Sequence, residues 1–177
     1  DKESYDDKML HNMSMSECEE KDRIYNSWAK SYDAYVQKHE YLGPQILVKN
    51  AWMFLSTASD ELRILDFGCG TGLVGKEINS VSKEGYSLTG IDISEGMIQK
   101  SRDLNVYRKL VCNNIVDTNK SINDVRNIVG NEFDLVISCG VFLEGHVSLD
   151  VVFRVLIKLL KPGGGILAIT IRDSFLK

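Results

Sequence analysis

The sequence predicts an α/β fold, a doubly wound and mostly parallel sheet preceded by two helices, and three observations lead there. Five short runs rich in β-branched and aliphatic residues recur along the chain, at 64–67, 88–91, 110–112, 135–138 and 166–171. Segments of helical character separate them, and alternation of this kind implies right-handed βαβ crossovers. A turn carrying alternate glycines, Gly68, Gly70 and Gly72, follows the first run. In an open parallel sheet that is where a ligand meets bare main chain.

The elements follow in order. Residues 1–21 carry Glu3, Asp6, Asp7, Glu17, Glu19 and Glu20 with little periodicity and are expected to form a flexible tail, leaving 22–177 as one domain. From Asp22, the apolar Ile24, Trp28, Tyr32 and Tyr35 or Val36 recur at helical spacing. Gly43-Pro44 reads as a break, and a second helix is expected from Gln45 to Leu55. Ser56 to Asp60 reads as a polar linker into the first strand. Ser121 and Asp124 have the spacing of a capped helix start. Ser148 is placed to cap a helix whose Val151, Val152, Val155, Leu156, Leu159 and Leu160 form an apolar stripe. Lys161-Pro162-Gly163-Gly164-Gly165 closes that helix and opens the fifth strand.

Composition removes several function classes. A chain of 177 residues with 44% apolar content supports one substantial core. Its 25 acidic and 21 basic residues are spread evenly, for a net charge of -4, so no basic stripe offers itself to a nucleic-acid backbone. The four cysteines form no C-x-x-C pair, which argues against a zinc site or a disulfide framework. They fit a reducing compartment, cytoplasmic or nuclear. No apolar run reaches the ~18 residues of a membrane span.

The chemistry is concentrated in Ile64-Leu65-Asp66-Phe67-Gly68-Cys69-Gly70-Thr71-Gly72, where a carboxylate ends a buried strand and the glycines admit a ligand to the backbone. Asp66 is suited to accept from a ligand ammonium. A second carboxylate, Asp92, ends the next strand 20 residues beyond Gly72, and one carboxylate meeting two hydroxyl donors suits a ribose diol. Gly70-Thr71-Gly72-Leu73-Val74-Gly75 also satisfies the dinucleotide pattern G-x-G-x-x-G. That register would run the strand to Cys69 and bury Asp66 and Gly68 inside it, where both are disfavoured.

The ordered segments D-F-G-C-G-T-G, G-I-D-I-S, F-D-L-V-I-S and L-L-K-P-G-G-G-I-L-A-I resemble class I S-adenosylmethionine-dependent methyltransferases, over roughly Ile24 to Ile171. Tyr25, Trp28, Tyr32 and Asp33, with Leu143-Glu144-Gly145-His146-Val147, are most similar to the Williams–Beuren syndrome region methyltransferase-like proteins. The resemblance implies a Rossmann-like fold, S-adenosyl-L-methionine as cofactor and S-adenosyl-L-homocysteine as product. It implies that Asp66, Gly68, Cys69, Gly70 and Gly72 serve the methionine end of the cofactor and that Asp92 holds its ribose. Ile93 and Met97 would flank the adenine. Asn114, with Ile115 beside it, occupies the place where such enzymes often carry an acidic residue for the adenine amino group. Cys139, Gly140 and Val141 would face the sulfonium, and Tyr25 and Tyr32 would contact the cofactor from the preceding helix.

Glu144 and His146 are the candidates to orient or deprotonate an acceptor, set against a reading as solvated loop residues. Cys69 and Cys139 read as small packing residues as readily as contacts, since no basic neighbour activates either thiol. The expected reaction is methyl transfer to an O, N or S nucleophile of a small molecule or a protein. The rival readings are a non-catalytic cofactor- or partner-binding module and an NAD-dependent oxidoreductase. No metal, membrane or nucleic-acid partner is expected. The family's last two strands are expected to be absent, which leaves the fifth strand as an edge open to association.

Overall fold

The computed structural model describes residues 18–55, 61–142, 147, 148 and 150–171, and for 18–25, 28, 30 and 152 it describes the backbone alone. The expected linker at Ser56 to Asp60 lies outside the described residues.

Two helices come first, α1 (Cys18–Lys38) and α2 (Gly43–Trp52). The first therefore includes residues 18–21, which the sequence assigns to the tail. The break between the helices falls at 39–42, just ahead of Gly43 and Pro44, which form the opening turn of α2, and that helix ends at Trp52 rather than Leu55. Pro44 suits the opening turn, because proline lacks only an N–H that has no partner there, and its fixed φ is already helical.

The sheet then builds through β1 (Leu62–Phe67), α3 (Leu73–Val81), β2 (Tyr86–Asp92), α4 (Glu95–Asp103) and β3 (Lys109–Cys112). It continues with α5 (Ile122–Val129), β4 (Leu135–Phe142), a π-helical turn (Val152–Leu156) leading into α6 (Ile157–Leu159), and β5 (Ile166–Ile171). All pairings are parallel and the order is β3-β2-β1-β4-β5. Ser121 and Asp124 form the reciprocal cap of α5 that their spacing predicts. The hydroxyl of Ser148 instead donates to the carboxylate of Asp150.

Side chains alternate across the sheet, so each strand feeds two cores. Ile64, Leu88, Leu135 and Ile137 pack with Val48 and Ala51 of α2 and with Val74 and Ile78 of α3. On the opposite face Leu65, Phe67, Ile91 and Val136 pack with Val125 and Val129 of α5 and with Val155, Leu156 and Leu159. Each fully buried aliphatic side chain contributes roughly 1.5 to 3 kcal/mol. Covering both faces explains why these strands read as continuous apolar runs.

The strand order reverses between β1 and β4, and the connections leaving these two neighbours diverge to opposite faces. Doubly wound sheets open a crevice at that point, at the carboxyl ends of the strands.

Candidate functional site

The turn after β1 is built around glycine. Gly68, Gly70 and Gly72 have φ of 72°, 54° and 91°, in the left-handed region that side chains disfavour. A Cβ on Gly68 would stand 2.2 Å from a methyl of Val141, so the end of β4 passes directly over bare backbone. The N–H groups of Gly68 and Cys69 both donate to the Ile91 carbonyl, at 2.8 and 3.0 Å. The N–H of Gly70 donates to Asp92 Oδ2 at 2.9 Å, and the Ser101 hydroxyl donates to the Gly70 carbonyl at 2.7 Å. The turn is thus tied at successive residues to β2 and α4.

Asp92 closes β2, and its second oxygen accepts from the Ser94 N–H at 2.9 Å. The cap of α4 is Ser94, whose hydroxyl accepts from the Met97 N–H. Burial pushes the Asp92 carboxyl above its ordinary value, and the N–H donors of Ser94 and Gly70 pull it back toward the anion.

Between these elements lies a cleft of about 150 Å³, or about 930 Å³ with the open space at its mouth. Gly68, Gly70 and Asp92 form one wall, Ile93, Met97, Asn114 and Ile115 a second, and Cys139, Gly140 and Val141 the side toward β4. Tyr32 reaches the cleft from α1, and burial raises its hydroxyl pKa above the usual phenol range.

Three expected residues stand behind the walls. Asp66 is fully buried; its Oδ2 accepts from the Tyr107 hydroxyl at 2.7 Å, and its Oδ1 has no hydrogen-bond partner. Burial and the nearby Asp92 push its carboxyl up to about 7 against the opposing pull of the Tyr107 hydroxyl. Cys69 is buried beside Ser101, and burial holds its thiol well above the ordinary range. Gly72 is the left-handed residue preceding α3. The side chain of Tyr25 and the whole of Glu144 and His146 lie outside the described residues.

The structure also corrects the argument from register. Asp66 does sit inside a buried strand, so burial of a charge there excludes nothing. The discriminating residue is Gly68, whose φ of 72° ends the strand at Phe67. Cys139, Gly140 and Val141, expected beyond the fourth strand, belong to its irregular end: the register with β5 shifts between Ser138 and Phe142, and Gly140 has φ of 75°.

A family model described as a methyltransferase domain matches residues 58–176. The chain belongs to the methyltransferase domain family. Over 145 residues it is 28% identical to the malonyl-acyl-carrier protein O-methyltransferase of Priestia megaterium, covering 81% of this chain and 48% of that one. It is 29% identical over 146 residues to human methyltransferase-like protein 27, from the Williams–Beuren region, covering 80% of this chain and 54% of the relative. The chain thus spans about half the length of these curated relatives. Among solved structures, the plantazolicin methyltransferase BpumL in complex with SAH shares the fold at a TM-score of 0.54 and 16% identity. That match covers 92% of this chain and 61% of BpumL.

Several side chains of this methyltransferase domain escape a linear reading. Asn113 lines the cleft with a buried Oδ1 that has no partner, whereas the carbonyl of Asn114 accepts from the Val116 N–H at 3.1 Å. The side-chain oxygen of Asn114, expected on the adenine side, thus has one local donor, and that of its neighbour Asn113 has none. An Asn-Asn pair just after a strand was the available signal, and it does not say which member's oxygen is left without a donor. Asn26 and Asp33 of α1 accept from Ser94 and Gly96 and from Thr71, at 2.8, 2.7 and 2.6 Å. These bonds hold α1 against both the turn and the start of α4. Among the described residues no cluster of His, Cys, Asp and Glu fits a metal ion, and no helix is long and apolar enough to cross a membrane.

Proposed function

We propose that the domain binds S-adenosylmethionine in this cleft and transfers its methyl group to an O, N or S nucleophile of a small molecule or a protein. One observation carries the reading: bare main chain at Gly68 and Gly70 shares a cleft with the Asp92 carboxylate and with Asn113, whose buried side-chain oxygen has no partner. A nucleoside supplies the matching donors, ribose hydroxyls for Asp92 and an exocyclic amine for Asn113. The orphaned oxygen of Asn113 is the fit test, since a buried acceptor left without a donor costs roughly 1 to 3 kcal/mol.

Ile93, Met97 and Ile115 offer apolar surface to the base, and Tyr32 covers the cleft from α1. The cofactor, when bound, supplies an electrophilic methyl group on a sulfonium centre. The protein's part is to bind, orient and exclude water, so the reaction demands no elaborate set of catalytic groups. Cys139 and Gly140 lie on the side from which an acceptor approaches, and Glu144 and His146, which follow β4 in sequence, remain the proposed groups for orienting it. Among the described residues β5 pairs with β4 alone, which supports association of a further strand along that edge.

Calorimetric titration with S-adenosylhomocysteine and with NAD tests the proposal. Saturable one-to-one binding of the first and none of the second is expected, and the opposite result overturns it. Acceptor-dependent release of S-adenosylhomocysteine then separates an enzyme from a binding module.

A further inference from the structure

Tyr107 lies in the connection between α4 and β3, outside the cleft walls, and its ring is seated on glycines from three neighbouring segments. A Cβ at Gly75 of α3 would stand 2.5 Å from the Tyr107 hydroxyl oxygen, one at Gly90 of β2 would stand 2.8 Å from its Cε1, and one at Gly72 would stand 3.3 Å from its Cε2. Only hydrogen at these positions lets the ring lie against the backbone. From that seat the hydroxyl donates to Asp66 Oδ2 at 2.7 Å, and the other Asp66 oxygen is left without a partner. One side chain from a neighbouring loop therefore touches the glycine-rich turn, the helix that follows it, the adjacent strand and the buried carboxylate behind the turn.

We propose that Tyr107 is a positioning residue for the cofactor: seated on these glycines, it holds the Asp66 carboxyl in place behind the turn through its hydroxyl. The proposal rests on the reading of the cleft as an S-adenosylmethionine site. The titratable groups facing Asp66 are Tyr107 from the α4–β3 connection, Asp92 from β2, Cys69 from the turn and Cys139 from β4. None of these four is cationic, and the Tyr107 hydroxyl favours ionisation of Asp66 against burial and the charge of Asp92. An ionised Asp66 favours a cation in the cleft through the weakly screening interior, and the amino-acid end of the cofactor carries an ammonium.

The test is Tyr107→Phe, which keeps the ring on its glycines and removes only the hydroxyl. Binding of S-adenosylhomocysteine is measured by calorimetry from pH 6 to 9, beside the pH dependence of thermal stability without ligand. The expected result is roughly 10-fold weaker binding near pH 7, with the pH midpoint of binding moved up by about one unit. The stability midpoint should move the same way. In an Asp66→Asn background the same substitution should leave the pH midpoint of binding unmoved, which a loss of packing alone in the single variant would not explain. Unchanged affinity and unchanged midpoints, in a protein that binds S-adenosylhomocysteine, overturn the role of Tyr107 alone. If the unaltered protein does not bind S-adenosylhomocysteine, the cofactor reading falls and takes this one with it.

Discussion

The main-chain N–H of Gly70 donates to Asp92 Oδ2 at 2.9 Å, so the turn after β1 and the end of β2 form one hydrogen-bonded unit. Asp92 has two tasks in consequence, shaping the turn and presenting a carboxylate to the cleft. Asp92→Ala should weaken S-adenosylhomocysteine binding by ~1.5 to 3 kcal/mol, the range for hydrogen bonds to a charged group. Calorimetry checks this, and unchanged affinity removes Asp92 from the site.

Gly68 and Gly70 share a left-handed conformation but differ in surroundings, and their alanine variants should part accordingly. At Gly70 a Cβ meets no protein atom within 4 Å, so Gly70→Ala should cost about 1 to 2 kcal/mol of backbone strain and weaken binding by filling cleft space. Gly68→Ala places its Cβ 2.2 Å from Val141, adding a clash to the same strain. Thermal melts should show the larger loss for Gly68→Ala, with partial recovery when Val141→Ala is added.

Asp66 makes stability depend on pH. Its folded-state pKa of about 7 lies above the ordinary carboxyl value of 3.8, so the folded state binds the proton more tightly than the unfolded chain. The associated stability is complete below about pH 4 and is lost as pH rises toward 7. The exposed Asp117 and Asp124 act in the opposite sense, because backbone and side-chain hydrogen bonds lower their pKa values. Asp66→Asn isolates the buried group: urea melts between pH 4 and 8 should show a flatter profile for the variant. Parallel profiles would mean that Asp66 does not titrate in this range.

Asn26 accepts from the Ser94 hydroxyl and from the Gly96 N–H, joining α1 to the N-terminus of α4. Asn26→Ala leaves both donors without this partner, at a cost of roughly 1 to 3 kcal/mol. Local opening of α1 should rise about tenfold or more, and limited proteolysis between α1 and α2 should accelerate with it. An unchanged cleavage rate would show that other contacts hold α1.

The turn was legible because its residues are adjacent and each carries a strong local constraint. Gly68 to Gly72 announce left-handed backbone, Asp92 ends an apolar run, and Ser121 with Asp124 spell a helix cap within four positions. Ser94, one residue ahead of α4, is an equally local cap signal. Asn113 was not legible beside Asn114, because which amide oxygen finds a local donor depends on the path of the chain beyond β3. Tyr107 and Asp66 are 41 residues apart, and Asn26 and Ser94 are 68 apart. No periodicity or motif relates such pairs.

By itself the sequence determined the order and type of the sheet elements, the glycine turn and the carboxylate that closes the second strand. Those features follow from dihedral preference and side-chain alternation, which act over a few residues. Only the tertiary structure decided that Asp66 stands behind the cleft wall, that the Asn113 side-chain oxygen is buried without a partner, and that Tyr107 rests on three glycines. Such contacts are settled by how helices pack on a twisted sheet, and packing joins residues that the chain keeps far apart.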